Sequence, residues 1–394
     1  LAEIPYKIKI LFRNDLQVKD RFPLLNGFNG APNSNESYLL LSRYDGDLKE
    51  GIVELVDLTN FKVLHTWNPD IDKLNKPFTN NREFKYLNRD QNNARYTLRS
   101  PLLLDKGHLV FHHISPLRKI NACSNVIFQN SKDRFHHSIE KDIDGNLWVP
   151  SYMYPHTLPS NIVGDLLHED GGFVEDGIVK LSPDGKILFE KSLSQIFIDN
   201  GLEYLLFGLG RYHNDPTHLN DIQPVNFDGD FWKKGDIFLS IRNQSMVILY
   251  RPSSNKIIWK GTGPFFEQHD VDIIDGQRIS VFNNRVKNLF NGKIVNGNNE
   301  VVIYDFRKGE FSSYLEKSLI KHEVKTESEG TSHILPNGDM FVEESNFGRS
   351  LYFNADGSLK WTHYNRAKND KVYRVNWSRI LHEKNDINNV KDLL

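Results

Sequence analysis

Asp144-Gly145-Asn146-Leu147-Trp148-Val149-Pro150, followed downstream by Asp184-Gly185-Lys186-Ile187-Leu188-Phe189-Glu190, is the pattern that decides the fold. In each, a turn dipeptide able to take positive φ opens a short run rich in residues that suit a pleated, half-buried strand. The same device recurs: Gly235-Asp236 before 237–241, Asn255-Lys256 before 257–260, Asp275-Gly276 before 277–282, Asn337-Gly338 before 339–342 and Asp356-Gly357 before 358–361. Hairpins at this density, with 12% aromatic residues, argue against helical and βαβ architectures. They pair into a longer period of roughly 40–60 residues, which a four-stranded blade fits.

The expectation is therefore an all-β chain, a six-bladed β-propeller with blades near 37–68, 98–130, 136–192, 218–262, 269–315 and 331–364, and 372–381 completing a sheet. Four or seven blades, or a pair of sandwiches, are the alternatives. Residues 1–36 read as an N-terminal extension, 37–381 as the propeller and 382–394 as a polar C-terminal tail. Leu193, Ile196, Phe197, Leu202, Leu205 and Leu206 recur at helical spacing, broken by Asn200-Gly201. They predict two short helices over about 193–208, between blades, either as a lid at the mouth or as a packed insertion.

Composition narrows the function. The 394 residues carry a formal net charge of −2 with both signs mixed, so no electrostatic footprint for nucleic acid or an anionic membrane exists. No apolar run approaches the roughly 18 residues of a membrane-spanning helix. The single Cys123 excludes an internal disulfide and a cysteine-rich metal site. There is no GxxxxGK(S/T), GxGxxG or GxSxG, so no nucleotide or other cofactor is indicated.

Histidines recur shortly before the first turn of a blade: His136 and His137 before Asp144-Gly145, His269 before Asp275-Gly276, and His218 with a longer connection. First strands of propeller blades line the central channel, so these imidazoles are expected to converge at the axis. Alternation along a strand lets only one of His136 and His137 face it. Arg242, in Ser240-Ile241-Arg242-Asn243-Gln244, adds a permanently charged fork suited to a tetrahedral oxyanion such as sulfate or phosphate. Nearby carboxylates are limited to Asp221, Asp270 and Asp272. His112 and His113 are expected to be packing or surface residues, and His213 and His333 to stand out of register as peripheral contacts. His156 and His168 would edge the mouth. Tyr152, Tyr154, Phe265 and Phe266 are read as packing or ligand-contacting aromatics near the pore.

The order His218-Leu219-Asn220-Asp221-Ile222, Gly235-Asp236, Ser240-Ile241-Arg242-Asn243-Gln244, Ile257-Ile258-Trp259 and Gln268-His269-Asp270 resembles the signature of the arylsulfotransferases. Phe135-His136-His137 upstream, with Leu335-Pro336-Asn337-Gly338-Asp339 and Val372-Tyr373-Arg374 downstream, is similar to it too; the resemblance covers about residues 130–380. It implies transfer of a sulfuryl group from an aryl sulfate to a phenol through a sulfohistidine, without PAPS and without a metal. The nucleophile would fall on His269, with His218, Arg242 and His137 or His136 as further catalytic residues, and Asn220, Asn243 and Gln268 as substrate-binding ones. The resemblance, together with a first residue that is Leu1 rather than Met, leads to the expectation of a periplasmic or secreted protein. Two other readings of the sequence stay open: a metal-dependent propeller lyase or hydrolase using the histidines as ligands, against which Arg242 would repel the cation, and a noncatalytic propeller that serves as a binding module.

Overall fold

Blade turns set the architecture. In four of them the backbone closes the same way: Asp142 N–H donates to Asn146 O and Gly145 N–H to Asp142 O, and the pattern repeats at Ser182/Gly185/Lys186, Leu335/Gly338/Asp339 and Asn354/Gly357/Ser358. Gly145 and Gly338 sit at φ of 82° and 85°, where a side chain would strain the turn. The computed structural model describes residues 16–78, 84, 87–132, 134–166, 170–208 and 210–394.

These turns organise six antiparallel sheets into a propeller. Blade 1 consists of Tyr38–Asp45, Glu50–Asp57 and Lys62–Trp67, with Arg379–Leu381 from the far end of the chain as its innermost strand. Blade 2 runs from Arg99–Leu103 to Val126–Asn130, and blade 3 from Arg134–Phe135 and Glu140–Lys141 to Ile187–Ser192. Blade 4 runs from Leu219–Pro224 to Lys256–Thr262, and blade 5 from His269–Ile273 to Glu310–Tyr314. Blade 6, Thr331–Ile334 to Leu359–Tyr364, gains a fifth, outer strand from Gly27–Gly30. Chain ends thus supply strands to both of the blades that close the circle, a seal that fixes blade 1 against blade 6.

The helices predicted between blades 3 and 4 are Leu193–Asp199 and Tyr204–Phe207, and their apolar faces join Leu219, Ile222, Leu239 and Ile248 in one buried cluster. They serve as a packed insertion. The segment read as a polar tail instead forms a helix, Lys384–Leu393: Ile387, Val390 and Leu393 recur on one face, and Val390 is fully buried against the core shared by blades 1 and 2. Among the described residues no helix is long and apolar enough to cross a membrane, and Cys123 is exposed.

The inner strands are irregular where they meet the axis. Bulges interrupt the pairing of the inner strands of blades 2, 4 and 5, and the inner strand of blade 3 breaks between Phe135 and Glu140. Side chains at these breaks reach the next blade: Ser100 Oγ accepts from Ile139 N (3.1 Å), Ser138 Oγ from Ile222 N (3.2 Å), Asp221 Oδ2 from Val271 N (2.8 Å) and Asp270 Oδ2 from Ser332 N (2.7 Å). Glu343 then accepts from Trp377 N and Ser378 N, and Arg379 donates to Ser100 Oγ, completing the circuit. Bulges re-aim side chains, and here they hold the neck of the channel and set the histidines above it.

Candidate active site

His137, His218 and His269 come together at the axis. Ring centroids of His137 and His218 lie 5.2 Å apart, and those of His137 and His269 6.2 Å apart. Trp377, from the closing segment, stands 6.2 Å from both His137 and His269. His137 and His218 hold left-handed backbone, at φ of 62° and 52°. Non-glycine residues accept this only where surrounding structure imposes it.

The neighbours of His269 fix its tautomer. Asn284 Nδ2 donates to Thr326 O (3.2 Å) and Glu329 O (2.8 Å), so its Oδ1 must face His269 Nδ1, at 2.8 Å. Glu267 O, another acceptor, lies 3.2 Å from the same nitrogen, so Nδ1 carries the proton. Nε2 keeps its lone pair, met by the Glu329 N–H at 3.2 Å. Burial, reinforced by the Arg242 charge, pushes His269 down to about 3, and the imidazole is neutral at physiological pH. His137 is likewise held well below its usual range by burial and by the adjoining imidazoles.

His218 is oriented differently. Its Nδ1–H donates to Asp215 Oδ2 at 2.6 Å, which leaves Nε2 for other chemistry, and its side chain is 21% exposed against 2% for His269 as a residue. The loop carrying Asp215 is strapped to the turn Arg242–Gln244: Asn243 Nδ2 donates to Asp215 O (2.8 Å), Gln244 Nε2 to Pro216 O (2.6 Å) and Arg242 N to His218 O (3.1 Å). Arg242 pairs through Nη2 with Glu267 and through Nη1 with Asn243 Oδ1 (3.1 Å), and its buried Nε has no protein acceptor among the described residues. Glu267 is shared with Lys293 and Asn288.

A second set of charges flanks His269. Glu329 clamps Arg99 (2.9 Å) and Arg374 (2.7 Å), and although burial opposes its charge, the two guanidiniums hold it at about 2. Buried polar atoms near the imidazoles without protein partners among the described residues include Trp377 Nε1 and Asn220 Oδ1.

Several expectations are corrected. Of the adjacent pair only His137 faces the axis, as alternation allows; the His136 ring stacks on Tyr152 at 3.9 Å with Asp176 3.6 Å from Nε2, and its Nδ1 stands 2.6 Å from His137 Nδ1. Gln268, expected to contact substrate, is turned into the joint between blades 4 and 5, where Nε2 donates to Met246 O at 2.9 Å. Asn220 reaches the same joint, donating to Gln268 O at 2.8 Å, and Asn243 braces the Asp215 loop. Asp221 and Asp270 are struts of the neck; burial pushes Asp221 up to about 8 and, with neighbouring carboxylates, raises Asp270 as well. His333 pairs with Asp272 (3.2 Å) and lines a pocket at the opposite end of the inner strands, away from His218. His213 borders the mouth beside Arg242.

His112 is fully buried, while the His113 Nδ1 bonds Thr97 Oγ1 at 2.7 Å beside the Arg99 cluster. His156 packs between Tyr154, Phe173 and Glu175, and His168 lies outside the described residues. Phe265 is buried in the core and Phe266 half exposed at the mouth. Among the described residues no group of three His, Cys, Asp or Glu side chains is disposed to hold a metal ion.

Residues 101–366 match the family model described as arylsulfotransferase (ASST). The chain belongs to the arylsulfotransferase family. For this arylsulfotransferase-family chain, membership suggests arylsulfotransferase-like activity on small aryl substrates. No curated protein matches it. Solved structures similar to it include a protein of unknown function from Bacteroides caccae, 10% identical over 84% of this chain and 94% of that one, with a TM-score of 0.49. A streptogramin B lyase is 9% identical over 90% and 96% of the two chains, TM-score 0.41. The Neurospora crassa Pan2 WD40 domain is 9% identical over 81% and 77%, TM-score 0.42. These likenesses assign no activity.

Proposed function

We propose that the chain transfers a sulfuryl group from an aryl sulfate to a phenol in two displacements through an N-sulfonate of His269. The observation that carries the reading is the locked tautomer: Asn284 Oδ1 accepts a hydrogen bond from Nδ1–H and leaves Nε2 as a neutral nucleophile beside permanent cations. In the first step Nε2 attacks sulfur, the S–O bond to the aryl oxygen breaks with its electron pair, and His218 Nε2–H protonates the departing phenolate. In the second, His218 Nε2 takes the proton of the acceptor phenol, whose oxygen attacks sulfur as the N–S bond returns its electrons to His269. The cycle closes with every proton restored.

Attack takes Nε2 out of its 3.2 Å contact with the Glu329 N–H, which then faces a sulfuryl oxygen. Arg242 Nε and Trp377 Nε1, buried donors without protein acceptors, suit the other oxygens. Such preorganised donors are often worth roughly 3–4 kcal/mol each, and acid–base help from His218 about 10²–10⁴-fold. A periplasmic or secreted location accompanies this reading and is tested by cell fractionation. The activity itself is tested with p-nitrophenyl sulfate and varied phenol: release of p-nitrophenolate that requires the phenol, with parallel lines in double-reciprocal plots, is expected. Absence of sulfated phenol would overturn the proposal.

A further inference from the structure

Beside the imidazoles the mouth opens into a cleft of about 830 Å³ that sulfuryl transfer alone leaves unexplained. Its walls are the turn Arg242–Gln244, the loop carrying Arg211, His213 and Pro216, and a hairpin, Val286–Leu289 with Gly292–Val295, inserted between the second and third strands of blade 5. Arg211, Arg242, Lys287 and Lys293 line it against a single carboxylate, Glu267. That carboxylate is engaged three ways, by Arg242, by Asn288 Nδ2 at 2.6 Å and by Lys293 Nζ at 2.9 Å. The chain as a whole is close to neutral at −2, so a four-to-one excess of cations here is a local feature. Phe266, 43% exposed, adds an aromatic face.

The cleft adjoins the reacting groups through two of its lining residues, Glu267 and His213. The Glu267 carbonyl lies 3.2 Å from His269 Nδ1, and His213 Nδ1 accepts from the N–H of Asp215, the residue that orients His218. A sulfate monoester brings one negative charge, which Arg242 meets at the axis. Arg211 and Lys287, which stand outside the pairing of Glu267 with Arg242 and Lys293, would be left to water by such a substrate.

We infer that this cleft binds a second anionic group of the substrate, so that the preferred donors and acceptors are aromatic molecules carrying a carboxylate in addition to the sulfate ester or phenol. The inference rests on the sulfuryl-transfer reading and names its substrate class. Because Arg211 and Lys287 would meet the second anionic group and not the transferred one, their contribution enters as binding, in KM more than in kcat, and weakens with salt.

The test compares 4-carboxyphenyl sulfate with its near-isosteric neutral counterpart 4-acetylphenyl sulfate in the intact chain and in Lys287→Gln and Arg211→Gln. Expected is a KM about tenfold lower for the carboxylated donor, a preference that shrinks several-fold in each variant and at high ionic strength. Equal KM values in the unaltered chain, or a preference that neither variant changes, would overturn the inference. Calorimetric titration with 4-hydroxybenzoate and 4-hydroxyacetophenone, which needs no turnover, separates the two levels. Selective carboxylate binding without any transfer leaves the cleft standing and removes the sulfuryl chemistry, whereas transfer from both donors with equal KM and no selective binding removes only the cleft.

Discussion

Replacing Asp215 by Asn probes the acid–base half of the chemistry with the least disturbance of shape. The His218–Asp215 hydrogen bond is short, 2.6 Å, and both side chains are about four-fifths buried, at 21% and 23% exposure. A charge-assisted bond of this kind contributes about 1.5–3 kcal/mol, and an amide in its place keeps a neutral bond worth about 1. The difference, about 0.5–2 kcal/mol, corresponds to roughly 2–30-fold in the step that needs a charged His218. That step depends on the leaving group: p-nitrophenolate departs without a proton, whereas an unactivated phenolate needs one. Asp215→Asn should therefore barely slow sulfuryl uptake from p-nitrophenyl sulfate in a stopped-flow burst, yet slow uptake from phenyl sulfate by roughly 2–30-fold. Equal losses with the two donors would refute the assignment of His218 as the proton donor.

His269→Asn should abolish transfer while leaving far-UV circular dichroism and the thermal midpoint close to those of the unaltered chain; retained transfer would place the nucleophile elsewhere. Because burial and Arg242 push His269 down to about 3, its neutral form dominates at every higher pH. The burst rate with p-nitrophenyl sulfate is expected to stay flat between about pH 5 and 8, and a fall through an ordinary histidine midpoint in rapid-quench data would contradict this. Glu329→Gln leaves Arg99 and Arg374 side by side without their carboxylate, with side chains only 12% and 16% exposed. Urea unfolding should show a loss of about 3 kcal/mol, and a loss below about 0.5 would mean that the clamp is dispensable.

The propeller was legible because its turns are written locally: Asp144-Gly145 and Asn337-Gly338 announce hairpins without reference to distant residues. Contributions that depend on distant partners were not. Gly27–Gly30 pairs with Leu359–Tyr364, and Val390 finds its place only against blades 1 and 2. The convergence of His137, His218 and His269 followed from register. Their supporting groups did not, because Asn284 and Glu329 reach His269 from its own second strand's end and from the next blade. Asp215, three residues before His218, carried a local signal in its spacing. Alternation allowed only one of His136 and His137 at the axis but could not say which, and Gln268, taken from its place beside His269, is held by Met246 O in the joint between blades.

The central claim is that the Nε2 of His269 carries the sulfuryl group between donor and acceptor. The most direct measurement is to mix the protein with p-nitrophenyl sulfate in the absence of phenol, quench at alkaline pH, digest, and map the adduct by tandem mass spectrometry. The account predicts a sulfuryl group on the peptide containing His269, lost on addition of phenol and absent in His269→Asn. A stable adduct on His137 or His218 instead, or transfer to phenol with no histidine adduct on any timescale, would contradict it.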